Sequence, residues 1–189
     1  MNRPATLLVL LLAGLLAGCG GSRSTDTRAA ETPADDVAEY QPRWRSHTVD
    51  STQYRKVFLA GTIDMGRSAD WQAALVARFR DSAGGRWLFF NPRRREFRAS
   101  PAEMEYQVAW ELAHLEAADL IVMNLLGDSR SPISLLEMGL YARSGKLFVA
   151  CSPDYYRYDN VRITCRRYGV PLYDSLAALL DDLPQQTDE

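Results

Sequence analysis

Residues 120–150 read LIVMNLLGDSRSPISLLEMGLYARSGKLFVA, and this stretch decides the fold. Two apolar runs, 120–125 and 147–151, have the length of buried strands, and they flank a helical pattern that begins near Ser131 and ends near Gly145. A strand, a helix and a second strand in this order form a βαβ unit, whose strands are parallel and joined by a right-handed crossover. The stretch therefore predicts an α/β domain with a parallel sheet.

The same alternation continues on both sides of this stretch. Apolar runs at 57–61, 87–90 and 170–173 predict three further strands. Helices are expected at about 70–82, 101–117, 132–144, 160–168 and 175–183. For five such strands we expect a flavodoxin-like or Rossmann-like three-layer sandwich with a parallel sheet in the order 2-1-3-4-5. Ligands bind such sheets beyond the carboxyl ends of the strands, where strands 1 and 3 diverge.

Composition limits the classes of partner. The 189 residues are 47% hydrophobic and 24% charged, with a formal net charge of −2, which suits a single globular domain. No basic stretch indicates a nucleic acid polymer as partner. The two histidines, His47 and His114, have no ligand partner at metal spacing, so we expect neither a metal nor another cofactor.

The N-terminus has the pattern of a bacterial lipoprotein. Arg3 precedes an apolar run at 7–16, and the small residues Ala and Gly lead to Cys19 as in a lipobox. We predict that residues 1–19 are a signal peptide whose Cys19 receives the lipid (palmitate). The alternative is a generic signal peptide with an incidental cysteine. Gly20 resembles an outer-membrane sorting signal, so we expect a lipid-anchored envelope protein on the outer membrane, facing the periplasm.

The remaining chain divides by composition. Residues 20–55 are rich in Ser, Thr, Asp, Ala and Pro and have few aliphatic side chains, so they are predicted to form a disordered tether. The folded domain is expected at 56–184, followed by a short tail at 185–189. Within the domain, Cys151 and Cys165 either form a disulfide or are small buried residues.

Two carboxylates fall on faces that the helical spacing predicts to be buried. Glu137 shares a face of the third helix with apolar residues, and Glu111 does so on the second. The apolar residues are Ile133, Leu136 and Leu140 on the third helix and Met104, Val108, Leu112 and Leu115 on the second. A buried carboxylate is costly unless it is paired, hydrogen-bonded or open to a polar cleft. Either each acid pairs with an arginine such as Arg93, Arg94 or Arg130, or the two form a site suited to glycosidic chemistry.

Several motifs in a fixed order resemble the nucleoside 2-deoxyribosyltransferase-like proteins over roughly residues 57–180. The motifs are DWQ at 70–72, NPRR at 91–94, WE at 110–111, AD at 118–119, PISLLEMG at 132–139 and PDYYRYDNV at 153–161. In this family the glutamate that matches Glu137 is the nucleophile that takes the deoxyribosyl group. Glu111 corresponds to the acid that handles the nucleobase, an aspartate in the well-known transferases. The resemblance implies a deoxyribosyltransferase or N-glycoside hydrolase acting on a nucleoside or nucleotide.

The resemblance also implies which residues contact the substrate. Gly61 and Asp64 match the loop that lines the sugar pocket, although Asp64 is equally suited to cap a turn. Asn91 and Arg93 either hold a phosphate or carboxylate group or clamp their own loop.

The chain departs from the transferase pattern at the start of the third helix. Ser131 stands where the transferases have a sugar-binding aspartate, and Ser134 belongs to an Ile-Ser pair that replaces Gly-Thr. Because the first turn of a helix favours anions, the two serines indicate a phosphate-bearing substrate. The alternative is that Ser131 is only the helix N-cap.

Two further expectations follow from the resemblance and from the predicted location. Relatives complete their pockets across subunits, so we expect a homodimer or a larger homo-oligomer. The alternative to an enzyme is a non-catalytic lipoprotein module that binds a nucleotide-like ligand or an envelope partner.

Overall fold

The structure is a computed structural model that describes residues 36–82, 84–96, 98 and 100–186. The predicted signal peptide, Cys19 and the first part of the predicted tether lie outside the described residues. Within the part of the chain that is described, no helix is both long enough and apolar enough to cross a membrane.

The centre of the domain is a seven-stranded, mostly parallel sheet. The strands are β1 (Val37–Gln41), β2 (Trp44–Arg45), β3 (Arg55–Gly61), β4 (Trp87–Phe90), β5 (Leu120–Leu125), β6 (Leu147–Cys151) and β7 (Leu172–Tyr173). They lie in the order β2-β1-β4-β3-β5-β6-β7. Among the described strands, every neighbouring pair is parallel except β1 and β2. The predicted α/β class with a parallel sheet is confirmed.

The predicted number of strands was wrong. Strands β1 and β2 extend the sheet beyond β4, so the full order differs from 2-1-3-4-5, which corresponds only to β4-β3-β5-β6-β7. Strand β1 falls within residues 20–55, predicted to be a disordered tether. Val37 and Tyr40 are buried because β1 pairs in register with Trp87 and Phe90 of β4. Long-range pairing thus gives this segment the burial that its local composition does not indicate.

Five helices connect the strands. They are α1 (Trp71–Ser82), α2 (Pro101–Ala117), α3 (Pro132–Tyr141), α4 (Tyr158–Tyr168) and α5 (Leu176–Gln186). At the start of α2, Ser100 is the N-cap, since its Oγ accepts the Glu103 N–H at 3.2 Å, and Pro101 occupies the first helical position. At α1, Asp70 Oδ1 accepts the Ala73 N–H at 3.0 Å in the same way.

Two buried clusters lie on opposite faces of the sheet. One contains Leu115 of α2, Met138 of α3 and Val161 of α4. The other contains Leu75 of α1 and Leu179 of α5. Helices α2, α3 and α4 therefore cover one face and α1 and α5 the other, which gives three layers.

The two described cysteines are free thiols in the first buried cluster. Burial raises the pKa of Cys151 to about 12 and that of Cys165 to about 11. Of the two predicted alternatives, a disulfide or small buried residues, the structure has the second.

Helices α2 and α3 present different faces from those that the spacing predicts. Of the seven apolar residues predicted to face inward, only Leu115 is buried. The other six, here called the α2–α3 apolar face, are Met104, Val108, Leu112, Ile133, Leu136 and Leu140, with exposed fractions of 43% to 61%. On α3, Ser134, Glu137 and Met138 are buried instead. Apolar residues surround α3 on several sides, so its periodicity does not select the buried face.

Candidate active site

Glu137 is a buried carboxylate that has no counter-ion among the described residues. It lies in the second turn of α3 and is 8% exposed. Among the residues that the structure describes, none forms a hydrogen bond or ion pair with its carboxylate, so the predicted alternative of a buried arginine pair does not apply to Glu137. Burial raises the pKa of Glu137 to about 8, and the Glu111 charge adds to this effect. In the free protein Glu137 is therefore mostly protonated at neutral pH.

Glu111 is half-buried on α2 and is hydrogen-bonded. Its Oε1 accepts a hydrogen bond of 2.6 Å from Gln107 Nε2, and Gln107 Oε1 in turn accepts one from Arg94 Nε. Burial raises the pKa of Glu111, while the Gln107 hydrogen bond and the Arg94 charge lower it. No comparable contact offsets burial at Glu137, so the environments of the two acids differ.

The two predicted acids lie close enough to interact electrostatically. Each belongs to a helix on the same face of the sheet, and the charge of Glu111 acts on Glu137. Ser134 lies three residues before Glu137 on the same side of α3 and is also buried. The structure thus places Glu137 beside Ser134 on α3, within range of the charge of Glu111.

Gly61 sets the position of the loop after β3. Its φ is 124°, and a Cβ at this residue would lie 2.2 Å from the backbone oxygen of Asn124. Only glycine permits this approach between the ends of β3 and β5. The Thr62 N–H then donates to the same oxygen at 2.9 Å, which holds the loop at the carboxyl edge of the sheet.

A chain of hydroxyl groups joins the loops that follow β3 and β5. Ser131 Oγ lies 2.7 Å from both Thr62 Oγ1 and Ser129 Oγ. Ser129 Oγ donates to Asp64 Oδ1 at 2.9 Å. We call Thr62, Asp64, Ser129 and Ser131 the hydroxyl chain. Thr62 and Ser129 were not among the predicted site residues. The only sequence signal for them is their position in the loops after β3 and β5, where ligands of such sheets bind.

Ser131 occupies the N-cap position of α3 but does not cap it. Its φ of 40° is left-handed, and its side chain makes no capping hydrogen bond. The strained backbone instead turns the hydroxyl group toward Thr62 and Ser129. The predicted N-cap alternative is therefore right in position and wrong in the role of the side chain.

Asn91 and Arg93 are engaged by other parts of the protein. Asn91 Nδ2 donates to Glu39 Oε1 at 2.8 Å, and Asn91 Oδ1 accepts the Arg93 N–H at 3.0 Å. The Arg93 guanidinium donates to Gln72 Oε1, to Ser68 Oγ and to two backbone oxygens before α1. These contacts favour the predicted alternative in which both residues clamp their own loop.

Two surface clefts lie elsewhere on the domain. One, of about 320 Å³, is lined by Met138 of α3 and Asn160 of α4, among others. The other, of about 330 Å³, lies beside the turn between β1 and β2. Neither is lined by Glu111 or Glu137. Within the described residues, no three or more His, Cys, Asp and Glu side chains cluster as metal ligands would.

Comparisons with known proteins give one family match. A family model described as "Nucleoside 2-deoxyribosyltransferase like" matches residues 54–155, just over half of the chain. A crystal structure described as that of a conserved protein from Enterococcus faecalis V583 has a similar fold, with a TM-score of 0.49 and 14% sequence identity. That likeness covers 70% of this chain and 99% of the other, and at this level it carries no argument about function. No curated protein matches the chain.

Proposed function

Because the chain belongs to the nucleoside 2-deoxyribosyltransferase-like family, we propose that it breaks or transfers the N-glycosidic bond of a nucleoside or nucleotide, with Glu137 as the nucleophile. The observation that supports this proposal is the burial of Glu137 near Glu111, with no counter-ion in the part of the chain that the structure describes. A buried acid without a partner destabilises a fold, and such groups are typical of sites where a carboxylate meets a developing positive charge.

The proposed reaction has two steps. In the first, a Glu137 carboxylate oxygen bonds to C1′ of the sugar while the C1′–N bond breaks, and its electron pair leaves with the base. Glu111, or a water molecule that it positions, donates a proton to the departing base. In the second, water or another base attacks C1′, the bond between C1′ and the Glu137 oxygen breaks to release the carboxylate, and the proton of the attacking group returns to Glu111 or to the water that Glu111 positions. Water gives hydrolysis and a base gives transfer.

The protonation of Glu137 limits the first step. The free protein holds a proton on Glu137 at neutral pH because burial raises the pKa of this residue to about 8. The nucleophilic form arises when that proton passes to solvent or to Glu111. Positive charge developing on the sugar stabilises the resulting carboxylate.

The hydroxyl chain and Ser134 are the proposed contacts for the rest of the substrate. They lie at the carboxyl edge of the sheet, in the loop after β3 and at the start of α3. Hydroxyl groups match either sugar hydroxyls or phosphate oxygens. Gly61 contributes by placing the loop that follows β3. Asn91 and Arg93 lie outside the proposed site and hold the backbone around it in place.

A base-release assay tests the proposal. The full chain is incubated with a panel of deoxynucleosides, ribonucleosides and their 5′-monophosphates, and free base is measured by chromatography. We expect release from at least one substrate, with a loss of at least about 10³-fold in Glu137→Gln. Release that persists in this variant would contradict the role of Glu137.

The clefts favour a second candidate, a module that binds a nucleotide-like ligand or an envelope partner without turnover. Neither described cleft includes the two acids. This candidate predicts ligand binding that is unchanged in Glu137→Gln and no release of base from any substrate in the same panel.

We also propose that the chain forms a homodimer through the α2–α3 apolar face. Residues 132–142 contain no charged side chain other than the buried Glu137. The α3 part of this face has no exposed charge, so it can pack against its own copy around a two-fold axis without leaving a charge unpaired. Since α2 and α3 also carry the two acids, a second copy on this face would help to enclose the site.

The proposed enzyme is anchored in the outer membrane, facing the periplasm, through a lipid on Cys19. The support is the sequence, where an apolar run and small residues precede this cysteine. Membrane fractionation and labelling with a palmitate analogue test the anchor. The wild-type chain should be labelled and sediment with membranes, and Cys19→Ser should lose the label. An unlabelled wild-type chain in the soluble fraction would contradict it.

A further inference from the structure

The cleft beside the turn between β1 and β2 is strongly cationic. Its charged lining residues are Arg43, Arg94, Arg95, Arg98, Glu96 and Glu103. Four guanidinium groups face two carboxylates, which leaves an excess of two positive charges. The whole chain has a formal net charge of −2, so this local excess runs against the overall balance. The cleft therefore has the charge of a site for an anion.

Glu103 is already neutralised within this cleft. Arg94 binds it at 2.7 Å and Arg43 at 2.8 Å, so two guanidinium groups share one carboxylate. The Arg43 guanidinium also stacks on the Tyr106 ring, with 4.0 Å from its central carbon to the ring centroid. These contacts fix the position of Arg43 and leave the cleft short of negative charge.

Arg95 is held in place while its terminal nitrogens remain available. Its guanidinium stacks on the Trp44 ring at 3.7 Å from the centroid, and its Nε donates to Gln41 Oε1 at 3.2 Å. No other described residue contacts its two terminal nitrogens by a hydrogen bond or ion pair. A planar guanidinium that is pre-positioned by stacking, with free donors, is suited to bind phosphate oxygens in a bidentate manner.

The cleft lies at the ligand-binding edge of the sheet. Pro42 follows β1 and Arg94 lies four residues beyond β4, so both loops leave the carboxyl ends of parallel strands. Part of the cleft comes from β1 and β2, outside the residues 54–155 that match the family. We propose that this cleft binds a phosphate group, with Arg95 as its main donor and the Trp44 ring as the surface that orients Arg95.

The cleft connects to the acid pair through two side chains. Arg94 lines the cleft and donates to Gln107, which donates to Glu111. The bound phosphate therefore belongs either to the nucleotide whose sugar meets Glu137 or to a separate phosphate ion. The donors required are the same in both cases, and the choice of probe separates the two sources.

Calorimetric titration of the full chain tests the site. The probes are inorganic phosphate, a deoxynucleoside and its 5′-monophosphate, and the last two are titrated into Glu137→Gln so that no turnover occurs. We expect Arg95→Gln to weaken phosphate or monophosphate binding by about tenfold or more. Arg95→Lys should recover part of the affinity, because it restores the charge without the planar fork. The matched control Arg162→Gln removes a half-buried arginine on α4, which pairs with Asp159 and does not line the cleft, and should leave the affinity unchanged.

The pattern of affinities identifies the source of the phosphate or overturns the site. If inorganic phosphate and the monophosphate bind with similar affinity, and Arg95→Gln weakens the binding of both, the ligand is a separate phosphate ion. If the monophosphate binds more tightly than inorganic phosphate and the deoxynucleoside, and Arg95→Gln weakens its binding, the phosphate group belongs to the nucleotide. Equal affinity of Arg95→Gln and the unsubstituted chain, or no phosphate binding up to about 10 mM, would overturn the inference. Because binding is read without turnover, these results are independent of base release.

Discussion

At the scale of single residues, Glu137 links the proposed activity to the stability of the fold. Its pKa is raised from 4.5 to about 8, so the folded state favours the protonated carboxyl group. The stabilisation from this proton is fully present below the unfolded pKa and is lost as the pH rises through about 8. A buried group of this kind makes the protein less stable under alkaline conditions.

We predict that Glu137→Gln stabilises the protein at about pH 8.5, by on the order of a few kcal/mol, because the amide cannot ionise. At about pH 4.5 the two proteins should have similar stability. Urea unfolding of both at each pH measures the difference. A variant that is equally stable or less stable at the higher pH would show that Glu137 is not buried as an uncompensated acid.

The same pKa predicts a pH dependence of base release. The reaction needs Glu137 ionised and a proton on Glu111 for the departing base, so kcat/KM should fall as the pH rises above about 8, where the pair loses its one proton. Glu111→Gln removes both this proton donor and the neighbouring charge, which lowers the pKa of Glu137, so the remaining kcat/KM should rise with pH instead. The same pH profile in both proteins would contradict a shared proton between the two acids.

At the scale of secondary-structure elements, the junction of β3 and β5 is the most constrained point near the site. A Cβ on Gly61 meets the Asn124 backbone oxygen at 2.2 Å, and its φ is 124°. We predict that Gly61→Ala destabilises the domain by at least about 2–3 kcal/mol. The backbone at Asn124 must move to make room for the new Cβ, and alanine is strained at this positive φ. Gly84→Ala is the control, because nothing lies within 4 Å of a Cβ there. Thermal unfolding of both variants measures the difference in stability. Equal unfolding midpoints would show that the junction of β3 and β5 does not require glycine at this position.

Elements could be predicted where local pattern and burial agree. The strands β4, β5 and β6 match their predicted ranges because continuous apolar runs suit strands covered on both faces. Strand β1 was missed because Glu39 interrupts its apolar residues, and a distant residue, Asn91, donates the hydrogen bond that helps to accommodate this acid. Helix α3 was predicted with the wrong face buried because its apolar residues do not form a single stripe.

At the scale of the whole molecule, the α2–α3 apolar face predicts a homodimer. Leu136→Glu places a charge on this face at a residue that is 61% exposed, so the monomer should still fold. We expect light scattering to show a dimer for the unsubstituted chain and a monomer for this variant, with weaker base release. Ile163→Glu alters an exposed residue on α4, outside this face, and should remain dimeric. A wild-type monomer, or a dimer in both variants, would contradict the proposed interface.

The candidate site was only partly predictable from the sequence. Glu111 and Glu137 were singled out by the motifs of the family resemblance, since the helical spacing that was expected to bury them also predicted burial of six apolar residues that are exposed. The links from Thr62 to Ser131 and from Ser129 to Asp64 could not be found, because they depend on the left-handed backbone of Ser131 and on the contact between two distant loops. Residue spacing along one helix contains neither piece of information.

The most direct test of the central claim, a covalent sugar on Glu137, is intact-protein mass spectrometry after incubation with a 2′-fluoro-substituted nucleoside. The fluorine destabilises positive charge at C1′ and slows release of the sugar. We predict that the protein gains the mass of the sugar, that the modified peptide contains Glu137, and that Glu137→Gln gains nothing. Base release from the unsubstituted nucleoside without any adduct on Glu137, or an adduct on another residue, would contradict the account.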